Sequence, residues 1–276
     1  MDKKYKLNSR PKLKSPCLLA AWPGISNVAL IVATYLARKL EFKELAEIDS
    51  PSFFDPIGVL VKDGVVEEPQ FPQNRFYYLK NKQDNDIILF IGEDQPSAKS
   101  YELANLILDV GQRFGVKKIY TFAAALTRIH HSEQPRAWAV GTNPQVANEL
   151  VERGLSGSGN LQISGLNGLL LGVAKERNID GVCLLGEVPS YASRLQNPMA
   201  ALVIVQILSK LLQLEVDISE LEQIASEAKQ HVSQIAAEAM EDYIDYFTEP
   251  IWESGEDDDD DLDNDDDDDN EEASNN

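Results

Sequence analysis

The chain of 276 residues is 43% hydrophobic and carries a formal charge of −21, but 14 acidic residues lie between Glu256 and Glu272 and leave only −7 for everything else. That is enough apolar material for a substantial core, and the absence of clustered Lys and Arg argues against nucleic acid as a partner. The first sixteen residues are polar and no apolar run approaches about 18 residues without a charge, so neither a secretory signal nor a membrane span is expected, and a soluble, cytoplasmic protein is.

Residues 1–15, with Lys3, Lys4, Lys6, Lys12 and Lys14, read as a solvated basic arm. The apolar run Cys17-Leu18-Leu19-Ala20-Ala21 then reads as a strand that breaks at Trp22-Pro23-Gly24. It leads into a nearly all-apolar helix over residues 28–40, with Ser26 or Asn27 as its cap and Arg38 and Lys39 suited to its C-terminal dipole. Leu45 to Ile48 is a short strand. Val59–Val61 and Val65–Val66 form a hairpin around Asp63-Gly64, and another strand follows at Arg75–Lys80. From Ile87 the pattern alternates: strand to Ile91, helix Ala98–Phe114, strand Lys118–Ala123, strand Ala137–Gly141 and helix Pro144–Arg153. A helix at Leu166–Arg177, an αβ turn at Asp180-Gly181, a strand to Leu185 and a long apolar helix Pro198–Leu212 come next. Such alternation predicts an α/β fold with a mostly parallel sheet. Ser219 and Glu222 suggest a capping box opening one amphipathic helix of roughly 28 residues, about 40 Å long. The Asp-rich remainder cannot bury enough apolar area to fold and reads as a disordered acidic tail over residues 251–276, behind an α/β domain over residues 16–250.

Open α/β sheets gather ligands at the C-terminal ends of their parallel strands, which directs attention to Gly24, to Glu93 after the strand Ile87–Ile91, to His131, to Gly157 in the glycine-punctuated Gly154–Gly159, and to Asn197. None of these completes a known constellation. The corner at Gly24 lacks both GxGxxG and a Gly-Lys-Ser/Thr ending, so packing is preferred over a nucleotide there. His130 and His131, adjacent on a loop, are expected to point to different sides, and a metal or general-base role would need a further ligand or nucleophile. GxSxG, HExxH and EF-hand patterns are absent. Cys17 and Cys183 sit inside apolar runs and read as buried thiols. No catalytic residue, metal or cofactor is therefore expected.

Several blocks together carry a family resemblance. The segment Leu18 to Asp55, with Trp22-Pro23-Gly24-Ile25 and Glu47-Ile48-Asp49-Ser50-Pro51-Ser52-Phe53-Phe54-Asp55, resembles the opening of the proteasome assembly chaperone family, second-subunit type. Ile88–Glu93, His131–Arg136, Leu155–Gly172 with its Ser-Gly-Leu-Asn-Gly pattern, and Gly186-Glu187-Val188-Pro189-Ser190-Tyr191 followed by Asn197-Pro198 resemble its later blocks in order. The likeness runs over roughly residues 16–245 and implies a three-layer, nucleoside-phosphorylase-like α/β/α sandwich without the phosphorylase active site. Some members were once labelled carboxylate-amine ligases of the ATP-grasp superfamily. The resemblance implies protein partners, proteasome subunits among them, and a homo-oligomer. Family members commonly reach proteasome α-subunits through a C-terminal hydrophobic-Tyr-any tripeptide. This chain ends Ala273-Ser274-Asn275-Asn276, and its internal Asp245-Tyr246-Phe247 has no free carboxylate, which argues against docking by that route. The expected function is a non-enzymatic, assembly-chaperone-like protein. The alternative is a small-molecule protein or enzyme, for a nucleoside or carboxylate, using the crevice near Gly24, Glu93 and His131.

Overall fold

The computed structural model describes residues 4–248 apart from 57, 84 and 156–159. Gly157 and the acidic segment 251–276 lie outside the described residues. In chain order the elements are β1 (Tyr5–Leu7), β2 (Cys17–Ala21), α1 (Val28–Lys39), β3 (Lys43–Ile48), β4 (Val61–Lys62), β5 (Val65–Val66), β6 (Asn74–Leu79), β7 (Ile87–Gly92), α2 (Ser100–Arg113), β8 (Lys118–Thr127), β9 (Ala137–Gly141), α3 (Pro144–Glu152), α4 (Leu166–Glu176), β10 (Asp180–Pro189), α5 (Pro198–Leu212) and α6 (Ser219–Thr248). Two compact units are distinguished, Met1–Ser233 and Gln234–Asn276, and both sheets lie in the first.

The main sheet has eight strands in the order β1-β3-β6-β7-β2-β8-β10-β9. Its centre, β7-β2-β8-β10, is parallel, and the flanking strands β6, β1 and β9 run against it, so most strands point one way. Central strands covered on both faces read as near-continuous apolar runs, and β2 shows why its own is unbroken. Cys17, Leu19 and Ala21 face a layer containing Val32 and Leu36 of α1 and Ile204 and Leu208 of α5. Leu18, Ala20 and Trp22 face the layer of Leu103 and Ile107 of α2 and Leu170 of α4. This is a three-layer α/β/α sandwich. Both thiols are free and buried, and burial pushes each up to about 12. Among the described residues no helix is long and apolar enough to cross a membrane.

Several local expectations differ from the structure. Tyr5–Leu7 of the basic arm pairs antiparallel with β3, its edge pinned where Arg113 donates to the Tyr5 hydroxyl (3.0 Å) and Lys4 pairs with Glu102. Neither Ser26 nor Asn27 caps α1 through its side chain. Both adopt left-handed backbone (φ 52° and 51°), and the Ser26 hydroxyl instead donates to the Ser193 carbonyl at 3.0 Å. The turn after α4 is made by left-handed Asn178 (φ 54°), while Asp180 and Gly181 already belong to β10. A Cβ on Gly181 would lie 2.8 Å from side-chain carbons of Leu171 and Thr142, so glycine is required there by close packing rather than by a turn. At the start of α6 the Ser219 hydroxyl and N–H both donate to Asp217 (2.7 and 3.0 Å) in place of a Ser219–Glu222 box. Arg38 and Lys39 at the end of α1 pair with Glu220 in the first turn of α6 (2.5 and 2.8 Å), each charge favoured by the helix dipole beside it. β8 and β10 run on to Thr127 and Pro189, past the ends their apolar runs marked, because they pair with each other along their whole length.

Candidate functional site

β2, β7, β8 and β10 point their C-terminal ends to the same edge of the sheet, where side chains from other elements fasten the corner after β2. Trp22 is fully buried, with its ring 4.9 Å from that of Phe90. The Asn167 side chain, 4% exposed at the start of α4, bonds the Trp22 backbone twice: Oδ1 accepts from its N–H (3.2 Å) and Nδ2 donates to its carbonyl (3.4 Å). Gln95 repeats the device, donating to the Pro23 carbonyl (2.6 Å) and accepting from the Leu166 N–H (2.7 Å). Two side-chain amides thus tie the β2 corner to the first turn of α4. A cavity of about 310 Å³ lies against this corner, lined by Gly24, Ile25, Gln95, Ala124, Ser164 and Asn167 among others. No described residue lining it is ionisable, and both of its buried or half-buried amides are committed to backbone groups.

Asn197 belongs to the same corner. Its N–H donates to the Ser26 carbonyl (3.0 Å) and its Oδ1 caps α5 by accepting from the Ala200 N–H (2.9 Å). Glu93 lies elsewhere: its carboxylate and N–H exchange hydrogen bonds with the Gln73 backbone (2.8 and 2.9 Å), clamping β6 to β7. Of these residues only Gly24 lines the cavity: Asn197 bonds the chain two residues beyond it, at Ser26, and lies outside the lining, as do Glu93 and His131.

His131 forms a second polar centre, beyond the end of β8. The two histidine rings stack, centroids 4.0 Å apart and 36° between planes, rather than pointing to different sides. The reason is Tyr191, whose hydroxyl accepts from the His131 N–H (2.8 Å) and bonds its Nδ1 (3.0 Å), turning that ring inward to 8% exposure. His130 is held from the other side: its Nδ1 accepts from the Ser132 N–H (3.2 Å), and its own N–H donates to Glu133 (3.0 Å). Lys229 of α6 donates to the Ser132 carbonyl at 2.5 Å. Burial first, then His130 and Lys229, hold the His131 pKa below its ordinary 6.5. Nearby, the buried Glu187 accepts from the Arg136 N–H (2.8 Å) with the guanidinium at 3.4 Å. Among the described residues no three His, Cys, Asp or Glu side chains form a group able to hold a metal.

Asn167, Gln95 and Tyr191 are the residues that sequence reasoning did not single out. Asn167 and Tyr191 each lie inside a block that carried the resemblance, Ser-Gly-Leu-Asn-Gly and Gly-Glu-Val-Pro-Ser-Tyr, which was the available signal.

Comparison with known proteins agrees with this architecture. The chain is similar to the crystal structure of Pyrococcus furiosus PbaB, described as an archaeal proteasome activator, with 29% identity and a TM-score of 0.70 over 84% of this chain and 98% of that one. It shares its fold with a proteasome-assembly chaperone homologue of Mycobacterium tuberculosis (21% identity, TM-score 0.68, 79% and 94% covered). An uncharacterized protein of Methanocaldococcus jannaschii is 28% identical over 229 residues, 81% of this chain and 84% of that protein. Residues 18–236 match the PAC2 family, from the second residue of β2 into α6. The chain belongs to the PAC2 family.

Proposed function

We propose that this chain is a non-catalytic, assembly-chaperone-like protein of the cytoplasm that works as an assembly of several copies and engages subunits of a larger complex, proteasome subunits being the first class to examine. The observation that carries this reading is the chemistry of the strand-end cavity. An enzyme of this sheet type keeps its nucleophile, base or phosphate donors at that edge. Here the described lining has no ionisable side chain, and the amides of Gln95 and Asn167 hold backbone in place. The likeness to PbaB over nearly its full length supports the choice of partner class.

The test is native mass spectrometry of the purified full chain mixed with proteasome α-subunits of its source organism, beside a thermal-shift panel of nucleosides, nucleotides and carboxylates. The expected result is a complex with α-subunits and no shift across the panel. A ligand present at 100 times its dissociation constant adds about 2.7 kcal/mol, so a real substrate is readily seen. A panel hit that is turned over, with no complex formed, would overturn the reading in favour of an enzyme.

A further inference from the structure

The turn that follows β8 is built around an imidazole lone pair. The Glu133 N–H donates to the His130 carbonyl (3.0 Å) and closes the turn, and His130 Nδ1 accepts from the Ser132 N–H (3.2 Å) with the Ser132 hydroxyl 2.7 Å away. A ring that accepts at Nδ1 carries its hydrogen on Nε2, so a second proton can enter only at Nδ1, where it meets the Ser132 N–H and breaks that bond. The adjoining ring adds to this. His131 stacks on His130 with centroids 4.0 Å apart, and a charge on either ring is opposed by a charge on the other.

The same turn fastens a helix. Among the described residues the α6 side chains in the core are Leu221 and Ala225; one helical turn further on, Lys229 donates to the Ser132 carbonyl (2.5 Å). Its ammonium stands beside two rings that become cationic in acid, and after burial it joins His130 in lowering the His131 pKa. Arg128 and Arg194 are exposed cations in the segments after β8 and β10, and Tyr191 offers only its hydroxyl. The carboxylates that would favour charged rings are engaged: Glu133 with the His130 N–H, and Glu187 of β10 with Arg136. We propose that the stacked histidines are a proton-operated latch on α6: with both rings neutral the Ser132 turn holds Lys229, and when they take up protons the turn gives way and releases the helix beyond Ala225. The latch is closed above about pH 6.5 and opens as pH falls below it, because His131 binds its proton more weakly in the closed form than in the open one. It operates within the unit Met1–Ser233 and is independent of any partner's identity.

The experiment uses the full chain. Hydrogen exchange of residues 226–233 is read by mass spectrometry at about pH 7.5 and about pH 5.5, each rate divided by the intrinsic rate at that pH. Wild type is compared with Lys229→Met and with His130→Asn/His131→Gln, whose amide oxygens accept hydrogen bonds but take no proton. Nitrogen-resolved NMR of the three histidines accompanies it, with exposed His231 as the internal reference. The latch predicts the Nε2–H tautomer for His130 and a His131 midpoint below that of His231. Wild-type protection should fall about three- to tenfold between the two pH values, the upper figure being the limit for one group whose pKa is 6.5 in the open form. The double histidine variant should keep its protection at both, and Lys229→Met should be equally unprotected at both. Wild-type protection that does not fall, or that falls as far in the double variant, would overturn the latch, as would a His130 hydrogen on Nδ1. If the double variant fails to fold, the other two chains decide: constant protection in wild type, or protection in Lys229→Met equal to wild type at about pH 7.5, rules the latch out.

Discussion

The corner after β2 and the arm between Phe54 and Phe71 make opposite use of their chemistry. The corner has the look of a ligand site, a Pro-Gly break at the end of a central parallel strand, yet the side-chain amides around it bind backbone. The arm is built of ordinary hairpin residues, yet its aliphatic side chains stay in water. A residue type therefore says little about its use until its partners are known: polar groups that are fully bonded make structure, and apolar groups left bare make contacts with something else.

The sharpest way to break this contrast is Gly168→Ala, one residue beyond Asn167. Its Cβ would lie 2.0 Å from the Ile163 carbonyl oxygen, so either the first turn of α4 or the loop at Ile163 must shift. A loss of more than about 3 kcal/mol in urea unfolding is expected. Asn167→Ala comes next. It strands the buried N–H and carbonyl of Trp22, and about 2–3 kcal/mol should be lost with no other change in assembly. A cost under about 0.5 kcal/mol would mean the corner is not held as described. Val61→Asp/Val65→Asp should behave in reverse, moving the urea-unfolding free energy by less than about 0.5 kcal/mol because both side chains are already in water.

A smaller effect tests the second polar centre. With its pKa held below 6.5 in the fold, His131 takes up a proton more readily when unfolded. Its contribution is complete above about pH 6.5 and is lost as pH falls from there through the folded value. His131→Gln should flatten the melting temperature across that window relative to wild type. An unchanged slope would show that His131 does not exchange a proton on folding. The smallest effect is expected from deleting Ser254 to Asn276. Leu262 and Ala273 are the only apolar side chains in that segment, so the melting temperature should stay where it is.

The layers were legible because their causes are local. β2 and β7 are apolar at every position since helices cover both faces, and α5 matched its expected bounds from Pro198 to Leu212 because proline opens it and left-handed Gln213 ends it. Edge strand β1 was not legible, since the alternation of Tyr-Lys-Leu is only three residues long, set among lysines, and forms because β3 offers it an open edge. The site was legible only as places. Asn197 reaches the corner through Ser26, and the bonds that fasten the corner itself, Asn167 to Trp22 and Gln95 to Pro23, link residues far apart in the chain. The histidine stack likewise depends on a tyrosine 60 residues further along the chain. No window of sequence holds both partners of such a bond.

The position of β2 also sets the timetable of synthesis. It is made early, yet it pairs with β7 from Cys17 opposite Ile87, and with β8 from Cys17 opposite Lys118. At about 5–20 residues per second, roughly the hundred residues from Cys17 to Lys118 take some 5–20 s to emerge. Until Gly92 is made an apolar strand destined for the middle of the sheet has neither neighbour complete, and until Thr127 it has only one. Loop closure over such distances slows folding and leaves unpaired edges open to misassociation. The strand order of this sheet therefore leaves β2 open to misassociation while its neighbours are still being made.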